Sequence, residues 1–449
     1  MYIFLNFARV VNPNTSVHRN NGMKTHSTTG LYWFRHDLRL HDQPSLAKTA
    51  QQCDALILLY VIDPKWFKTN QFELVAMGAH RQQFLYESLV TLNDNLKANN
   101  QTLHVVVGDP VETVCSMIRE HNISIFGFGN HQGFYERQQI NSVVRKFDSL
   151  TIVSSHNASL FTPDSLPFSL DNMPDGFTPF RKQVEQRVMP EPCVPAHYGF
   201  PPPPAIAQTD WQTLPLHHGA ISAFQGGENA ALKQLQYYLF DSDLVATYKE
   251  SRNGLDGWDY SSKLSAWLAN GCVSPRRVYQ ELKRYERERT ENDSTYWLYF
   301  ELLWREFFYW QQAKHGSKWF SQTGIKNTIS HSACNTDIIK QWQAGQTDNA
   351  YVNACLRQLN ATGYLSNRGR QWVASYFVNE LAQDWRFGAA YFEQQLVDYD
   401  VGANWGNWQY LAGVGSDPRG QRQFNLAKQA QMYDPSRQFL RLWGERNAS

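Results

Sequence analysis

The sequence predicts two folded parts: an α/β N-terminal domain with a parallel, Rossmann-like sheet, then an all-α domain. Three observations carry this. From Leu31 short apolar runs alternate with amphipathic segments. After Gly226 apolar residues recur only at three- and four-residue spacing. Between the two, residues 156–225 are rich in Pro, Ser and Asn. A chain of 449 residues is long enough for two domains, and its 42 % apolar content supplies a sizeable core.

Residues 1–29 read as a disordered extension. The first 30 residues hold no Asp or Glu, the character of an organellar transit peptide. The simpler reading starts translation at Met23, ahead of the first strand. Residues 30–155 then give the strand runs Leu31–Phe34, Ala55–Ile62, Leu103–Val107, Ile123–Phe128 and Thr151–Ser154. Helical periods over His80–Lys97, Pro110–Glu120 and Tyr135–Phe147 fill the gaps, the alternation of a parallel sheet covered on both faces. No G-x-G-x-x-G is present, so dinucleotide binding has no support. Arg35, Asp37 and Arg39 follow the first strand, at the sheet edge where such folds bind ligands, and are expected to tie that loop together.

Residues 156–225, with the run Phe200–Pro204, read as a connector over the surface, because proline denies the backbone its helix and ladder hydrogen bonds. Residues 226–449 read as helices over 228–240, 262–270, 274–284, 294–313, 350–360, 367–382 and 421–432.

Composition narrows the function. A net charge of +1 gives no global field toward nucleic acid, so any such affinity rests on a local face. Six cysteines without a C-x-x-C pair indicate neither a disulfide framework nor a metal site, and point to a reducing, cytoplasmic setting. No apolar run reaches the roughly 18–20 residues of a membrane span.

The densest chemistry lies at 362–420. Arg370, Asp398, Asp400 and Asn404 fall on two facing helices and the turn between them, with Trp385 and Trp408 behind. Such a group can line a pocket for a flat, polar-edged ring. The plain alternative is core tryptophans and ordinary ion pairs. Upstream, Tyr248 precedes D-Y-S-S-K-L-S-A-W-L-A-N-G, in which Ser261 and Ser262 are expected to open a helix that stops at Gly271. With Lys263 beside that N-terminus this is a diphosphate cradle or simply a capped helix. In E-L-L-W-R-E-F, Glu301 and Arg305 sit four apart, the spacing of a helical ion pair, and Trp304 shares their rim.

The motifs S-N-R-G-R-Q, D-W-R-x-G-A, D-Y-D-V, N-W-G-N-W-x-Y and A-G-V-G-x-D-P-R resemble the photolyase/cryptochrome family, and within it the DASH-type cryptochromes. The likeness runs in order from about residue 31 to the C-terminus, and W-F-R-H-D-L-R-L-H-D resembles the start of the family's antenna domain. The resemblance implies a helical FAD-binding domain, with Tyr248, Ser261, Ser262, Lys263, Leu264, Ser265, Arg305, Asn367, Arg370, Asp398 and Asp400 at the cofactor and Asn404 opposite flavin N5. It implies Glu301 and Trp304 against a pyrimidine dimer, and Trp408 and Trp385 as the inner electron carriers. It makes Phe177–Glu185 an ordered helix inside the connector. It also implies a 5,10-methenyltetrahydrofolate antenna, with Glu136 in the position of a folate contact; a plain surface glutamate is the alternative there.

Three departures qualify the likeness. Tyr410 replaces the second dimer-stacking Trp of duplex-repairing photolyases and Gln371 their Met, which implies restriction to single-stranded DNA. Ser332 stands where the outer hopping Trp is usual, leaving Trp342, Trp372 or Trp319 as substitutes. The segment Thr347–Ala354 departs from the family pattern, so its contacts are not transferred. The implied activity is blue-light splitting of cyclobutane pyrimidine dimers in single-stranded DNA by a monomer, with RNA or duplex DNA as weaker partners. A light sensor on the same FAD is the alternative, and a non-photochemical flavin oxidoreductase is a third reading without a visible nicotinamide site.

Overall fold

In the computed structural model, residues 27–196, 199–217, 222–328, 332–417, 420 and 422–444 are described. Five parallel strands, β1 (Thr29–Phe34), β2 (Ala55–Ile62), β3 (Leu103–Val107), β4 (Ile125–Gly129) and β5 (Thr151–Ser155), form a sheet in the order β3-β2-β1-β4-β5. β1 lies at the centre, with Leu31 beside Ile57 of β2 and Phe126 of β4. The helices between strands are α1 (Pro44–Gln52), α2 (Ala79–Lys97), α3 (Pro110–Glu120) and α4 (Phe134–Val144).

Alternation along the strands divides the core. Leu31, Trp33, Ile57 and Leu59 pack with Val114, Ile118, Ile140 and Val143 of α3 and α4. Tyr32, Phe34, Leu56 and Leu58 belong to a larger cluster that continues through α2 into the helical part. Burial of its inner strands on both faces explains why β1 and β2 are continuous apolar runs rather than alternating ones.

The helical part contains α5 (Phe177–Arg187), α6 (Glu228–Gln236), α7 (Tyr248–Ser251), α8 (Ser265–Ala269), α9 (Pro275–Glu288), α10 (Asp293–His315), α11 (Thr336–Gln343) and α12 (Ala350–Thr362). It continues with α13 (Asn367–Ser375), α14 (Trp385–Gln395), α15 (Val401–Leu411), α16 (Leu426–Tyr433) and α17 (Gln438–Gly444). Asn292 and Thr295 close a reciprocal capping box at the start of α10, the longest of these helices. Ser366, Asp384 and Asp400 cap α13, α14 and α15, each accepting a backbone N–H. The expected combination of a parallel α/β part and a helical part is borne out.

The loop after β1 is tied as the sequence suggests and also joins the two parts. Asp37 accepts from Arg35 N at 3.0 Å and from Tyr32 OH at 2.8 Å, while Arg39 donates to Gly271 O at 2.8 Å. Arg276 of α9 donates to Asp42 at 2.8 Å, and both are buried. Gly271 has φ +70°, and a Cβ there would meet His36 O at 2.0 Å, so this approach requires glycine.

Four expectations change. Thr29 already pairs with Ala55, so the strand starts within the stretch expected as an extension; residues 1–26, Met23 included, lie outside the described residues. The start of the connector is not on the surface: Ser159 and Leu160 N donate to the buried Glu306 of α10, and Leu160 and Phe161 are in the core. Ser261 and Ser262 do not open a helix. Lys263 adopts φ +58°, in the left-handed region, and breaks the chain there, so only Ser265–Ala269 is helical. The last expected helix, 421–432, begins only at Leu426, where Asn425 caps it.

Candidate functional site

A cavity of about 320 Å³ opens between α8, α10, α13 and α15, a size in the range of small-molecule sites. At one end the segment Ser261–Ser265 and Tyr248 form its wall. The turn at Lys263 buries its side chain, and Nζ has no hydrogen-bond acceptor among the described residues. The ammonium lies 3.3 Å from the ring centroid of Tyr260 and 4.7 Å from that of Tyr364. Burial pushes it down to about 7, and Asp256 pulls the other way. A buried cation on ring faces, without a hydrogen-bonded partner among the described residues, is a ready partner for an anionic group.

Arg370 lies against the same Tyr364 ring, 5.3 Å from its centroid; its Nη2 donates to both oxygens of Asp398, at 3.0 and 2.8 Å, and its Nε donates to Leu365 O at 2.7 Å. Asp400 uses Oδ1 to accept Ala403 N at 2.9 Å, and its Oδ2 faces Arg305 Nη2 at 3.5 Å. Arg305 Nη1 reaches across to Ala158 O at 2.7 Å, while its Nε is buried without an acceptor among the described residues. Asn404 donates Nδ2 to Ala389 O at 2.9 Å, which fixes its amide against the cavity. Asn367, Leu264, Ser265 and Gln371 complete this wall. The arrangement offers an apolar slot lined by a carboxylate, an amide, guanidinium donors and an ammonium without a hydrogen-bonded partner among the described residues.

The expected Glu301–Arg305 ion pair does not form. Glu301 pairs instead with Arg252 at 2.6 Å, because Arg305 is drawn to Ala158 O and Asp400. Glu301 stays part-exposed on the cavity wall, and burial raises its carboxyl against the pull of Arg252. Trp304 and Tyr410 do not line the cavity. They meet edge to face at 6.0 Å, Trp304 stacks on Phe177 of α5 at 3.7 Å, and Tyr410 OH accepts from Arg422 at 2.8 Å.

Trp408 lines the cavity; its ring neighbours are Phe392, Phe377 and Trp342, at 5.1, 5.9 and 6.2 Å. Its indole lies on Gly388, where a Cβ would come within 2.2 Å. Trp385 starts that same helix one turn earlier and donates Nε1 to Gln322 O at 3.1 Å. Ser332 is joined to Trp385 through Gln322, whose Nε2 donates to its hydroxyl at 3.4 Å. Of the expected substitutes, Trp342 touches Trp408 but is fully buried. Trp372 packs on Tyr351, and Trp319 on Phe308 and His315.

Glu136 is not a plain surface residue. Its Oε1 lies 3.5 Å from His36 Nε2, and the His36 ring stacks on His131 at 4.5 Å. Burial pushes the Glu136 carboxyl up, but hydrogen bonding to His36 and the charge of both rings more than offset it and leave it at about 2. One donor atom from each of the three lies within 4.8 Å of the others. However, His131 Nδ1 accepts from Gly133 N at 3.0 Å, which leaves the proton on Nε2 and makes this ring a poor ligand.

Sequence reasoning missed Arg252, Tyr260, Tyr364, Tyr399 and Asn407 on the cavity wall. Tyr364 stands within the T-G-Y-L segment and was open to recognition there. Nothing in the local sequence marks Arg252 as the partner of Glu301.

Two family models match the chain: DNA photolyase over residues 30–202, and the FAD binding domain of DNA photolyase over residues 297–446. Cryptochrome DASH of Vibrio parahaemolyticus is 46 % identical over 93 % of this chain and 94 % of that relative. Cryptochrome DASH of Idiomarina loihiensis is 43 % identical over 92 % of each. Among solved structures, a cryptochrome of Synechocystis sp. PCC6803 superposes with a TM-score of 0.88 at 39 % identity, covering 94 % of this chain and 89 % of that one. The residues around the cavity fit FAD: an unmatched buried ammonium for the diphosphate and polar edge groups for the ring.

Proposed function

The chain belongs to the photolyase/cryptochrome family, among its DASH-type cryptochromes, and from that premise we propose that it is a blue-light FAD photoenzyme that splits cyclobutane pyrimidine dimers in single-stranded DNA. Bound, reduced FAD would supply on excitation the electron that opens the dimer ring and would take it back afterwards. The protein's part is to bind, orient and exclude water. Ser261, Ser262, Leu264 and Ser265 shape the cradle in which Lys263 would meet the diphosphate, with Tyr248 beside it. Arg370 held by Asp398, with Asp400, Arg305 and Asn367, would hold the ring edge. Asn404, a neutral amide, offers no acid at the ring nitrogen it would face.

The observation that carries repair over sensing is Glu301. It is a part-exposed carboxylate on the same cavity wall, with Arg252 as its partner at 2.6 Å. A dimer seated at the mouth would find that carboxylate as an acceptor, with Trp304 and Tyr410 as aromatic neighbours. A photoreceptor that binds nucleic acid without efficient repair is the second reading, favoured by the buried Trp408 on the cavity wall. The reading also includes a methenyltetrahydrofolate antenna near Glu136, a monomeric state and weaker binding of RNA or duplex DNA. It places the protein in the cytoplasm, with an organelle as the alternative. No described helix is long and apolar enough to cross a membrane. Blue-light illumination of dimer-containing single-stranded oligonucleotides with the reduced holoprotein is the test. Repair is expected, and intact dimers with fully reduced FAD would leave the sensor reading.

A further inference from the structure

We propose that Trp405 is the terminal electron donor behind Trp385, and that Glu393 takes its indole proton. The inference rests on the reading of Trp408 and Trp385 as electron carriers. Ser332 cannot be oxidised as an indole can, so the path from Trp385 must leave elsewhere. Among the described residues the aromatic ring in contact with Trp385 is Trp405, with centroids 5.8 Å apart and planes at 79°. Trp405 sits on α15 next to Asn404, but on another face, away from the cavity. Its Nε1 donates to Glu393 Oε2 at 3.2 Å and to Tyr399 OH at 3.1 Å. A carboxylate against the indole N–H lowers the energy of a positive charge on that ring and can accept its proton. Burial raises the Glu393 carboxyl, against the pull of Arg81, which makes it a better base. Beyond Trp405, Phe320 at 4.9 Å leads to the exposed Tyr135, so the site lies about one ring layer below solvent.

The step balances. Once Trp408 has given an electron to the excited flavin and Trp385 has refilled Trp408, Trp405 gives one electron to Trp385. Its N–H bond breaks and the proton passes to the Glu393 carboxylate. A thiolate reductant from solution later returns the electron, and Glu393 returns the proton. Trp342 lacks this arrangement, because its indole N–H is bound to a neutral backbone oxygen, Val373 O at 3.3 Å.

The test is laser-flash spectroscopy of the FAD-loaded protein, reading the lifetime and protonation state of the tryptophan radical. Trp405→Phe should bind FAD normally and lose the long-lived radical. Ser332→Trp in the same background should restore it, since residue 332 reaches Trp385 through Gln322. Glu393→Gln keeps Trp405 but should leave the protonated radical where the parent forms the neutral one. Illumination in oxygen without thiol should leave the oxidised side chain at Trp405 by peptide mass spectrometry, which decides the matter even where Trp405→Phe fails to fold. Unchanged lifetime and protonation state in both variants, or oxidation mapped to another tryptophan, overturns the proposal. Trp408→Phe separates the two levels: a normal radical there overturns the underlying reading, whereas its loss there and persistence in Trp405→Phe overturns Trp405 alone.

Discussion

The Lys263 ammonium faces the Tyr260 ring at 3.3 Å and reaches no hydrogen-bond acceptor among the described residues. Burial therefore holds it down to about 7, while in the unfolded chain it titrates near 10.4. A diphosphate would stabilise the charged form and raise the value again, so binding takes up a proton at pH above 7. FAD affinity should then fall as pH rises, by up to about tenfold per unit between about pH 7 and 9. The flavin-free protein has the opposite sign: over the same window its unfolded state binds more protons, so this group makes folding more favourable as pH rises. Fluorescence titration of FAD across that range checks the first, and Lys263→Met should flatten the dependence. A flat profile in the parent would separate Lys263 from the diphosphate.

Arg370 and Asp398 make a two-point contact, and Asp398 has little exposed surface for water to replace it. Asp398→Asn keeps the shape but removes the charge, leaving the Arg370 guanidinium a neutral amide oxygen and Leu365 O in place of a carboxylate. Losing one such charged hydrogen-bond pair costs about 1.5–3 kcal/mol, so FAD should bind at least about tenfold more weakly. Flavin content on purification and equilibrium titration measure this. Retention of parental affinity would show that Arg370 does not hold the cofactor.

Trp408→Phe should abolish or strongly slow photoreduction of oxidised FAD and spare repair by chemically reduced protein, because repair draws its electron from the flavin. Gly388→Ala should act in the same direction without touching the indole's chemistry. A Cβ there would meet Trp408 at 2.2 Å and push the ring off α14. Parental photoreduction in Trp408→Phe would refute the inner-donor assignment.

What the sequence made legible follows the range of the forces. Strand runs and helical periods are local, and they placed the sheet and the longer helices, but not α1, α11, α14 or α17, which are short or weakly periodic. Arg370 and Asp398 were readable together because α13 and the turn before α15 are joined by one intervening helix. Glu301 was misread because spacing says only that Arg305 can reach it. The competing partners, Ala158 O and Asp400, come from across the fold. The break at Lys263 was hidden because the chain carries no glycine there, although φ is +58°. Trp405 was overlooked because N-W-G-N-W was read through Asn404 and Trp408. An adjacent helical residue points roughly 100° away, and only the fold puts Trp385 and Glu393 on that side.

The substrate form turns on Tyr410. In the structure its hydroxyl is held by Arg422 at 2.8 Å, and the guanidinium lies 4.9 Å from its ring centroid. Trp304 is likewise fixed, stacked on Phe177. The aromatic pair is therefore held in place by its neighbours, but is smaller than two tryptophans. Base–aromatic stacking contributes roughly 1–3 kcal/mol per base, and a deficit of about 1.4 kcal/mol is tenfold in binding. In duplex DNA the dimer must also leave its partners, at a cost of a few kcal/mol; on a single strand that cost largely vanishes. A net charge of +1 adds no long-range attraction to offset it. Repair should thus be efficient on single-stranded and looped-out dimers and poor in intact duplex. Tyr410→Trp should raise duplex repair more than single-strand repair, although it also removes the hydroxyl that Arg422 holds. Glu301→Ala should weaken dimer binding while FAD stays bound, and should leave Arg252 unpaired at the mouth. The measurement is repair yield per photon on matched oligonucleotides at one salt concentration. Equal yields on both forms in the parent protein would show that extrusion is supported elsewhere on the surface, and that Tyr410 does not set the substrate.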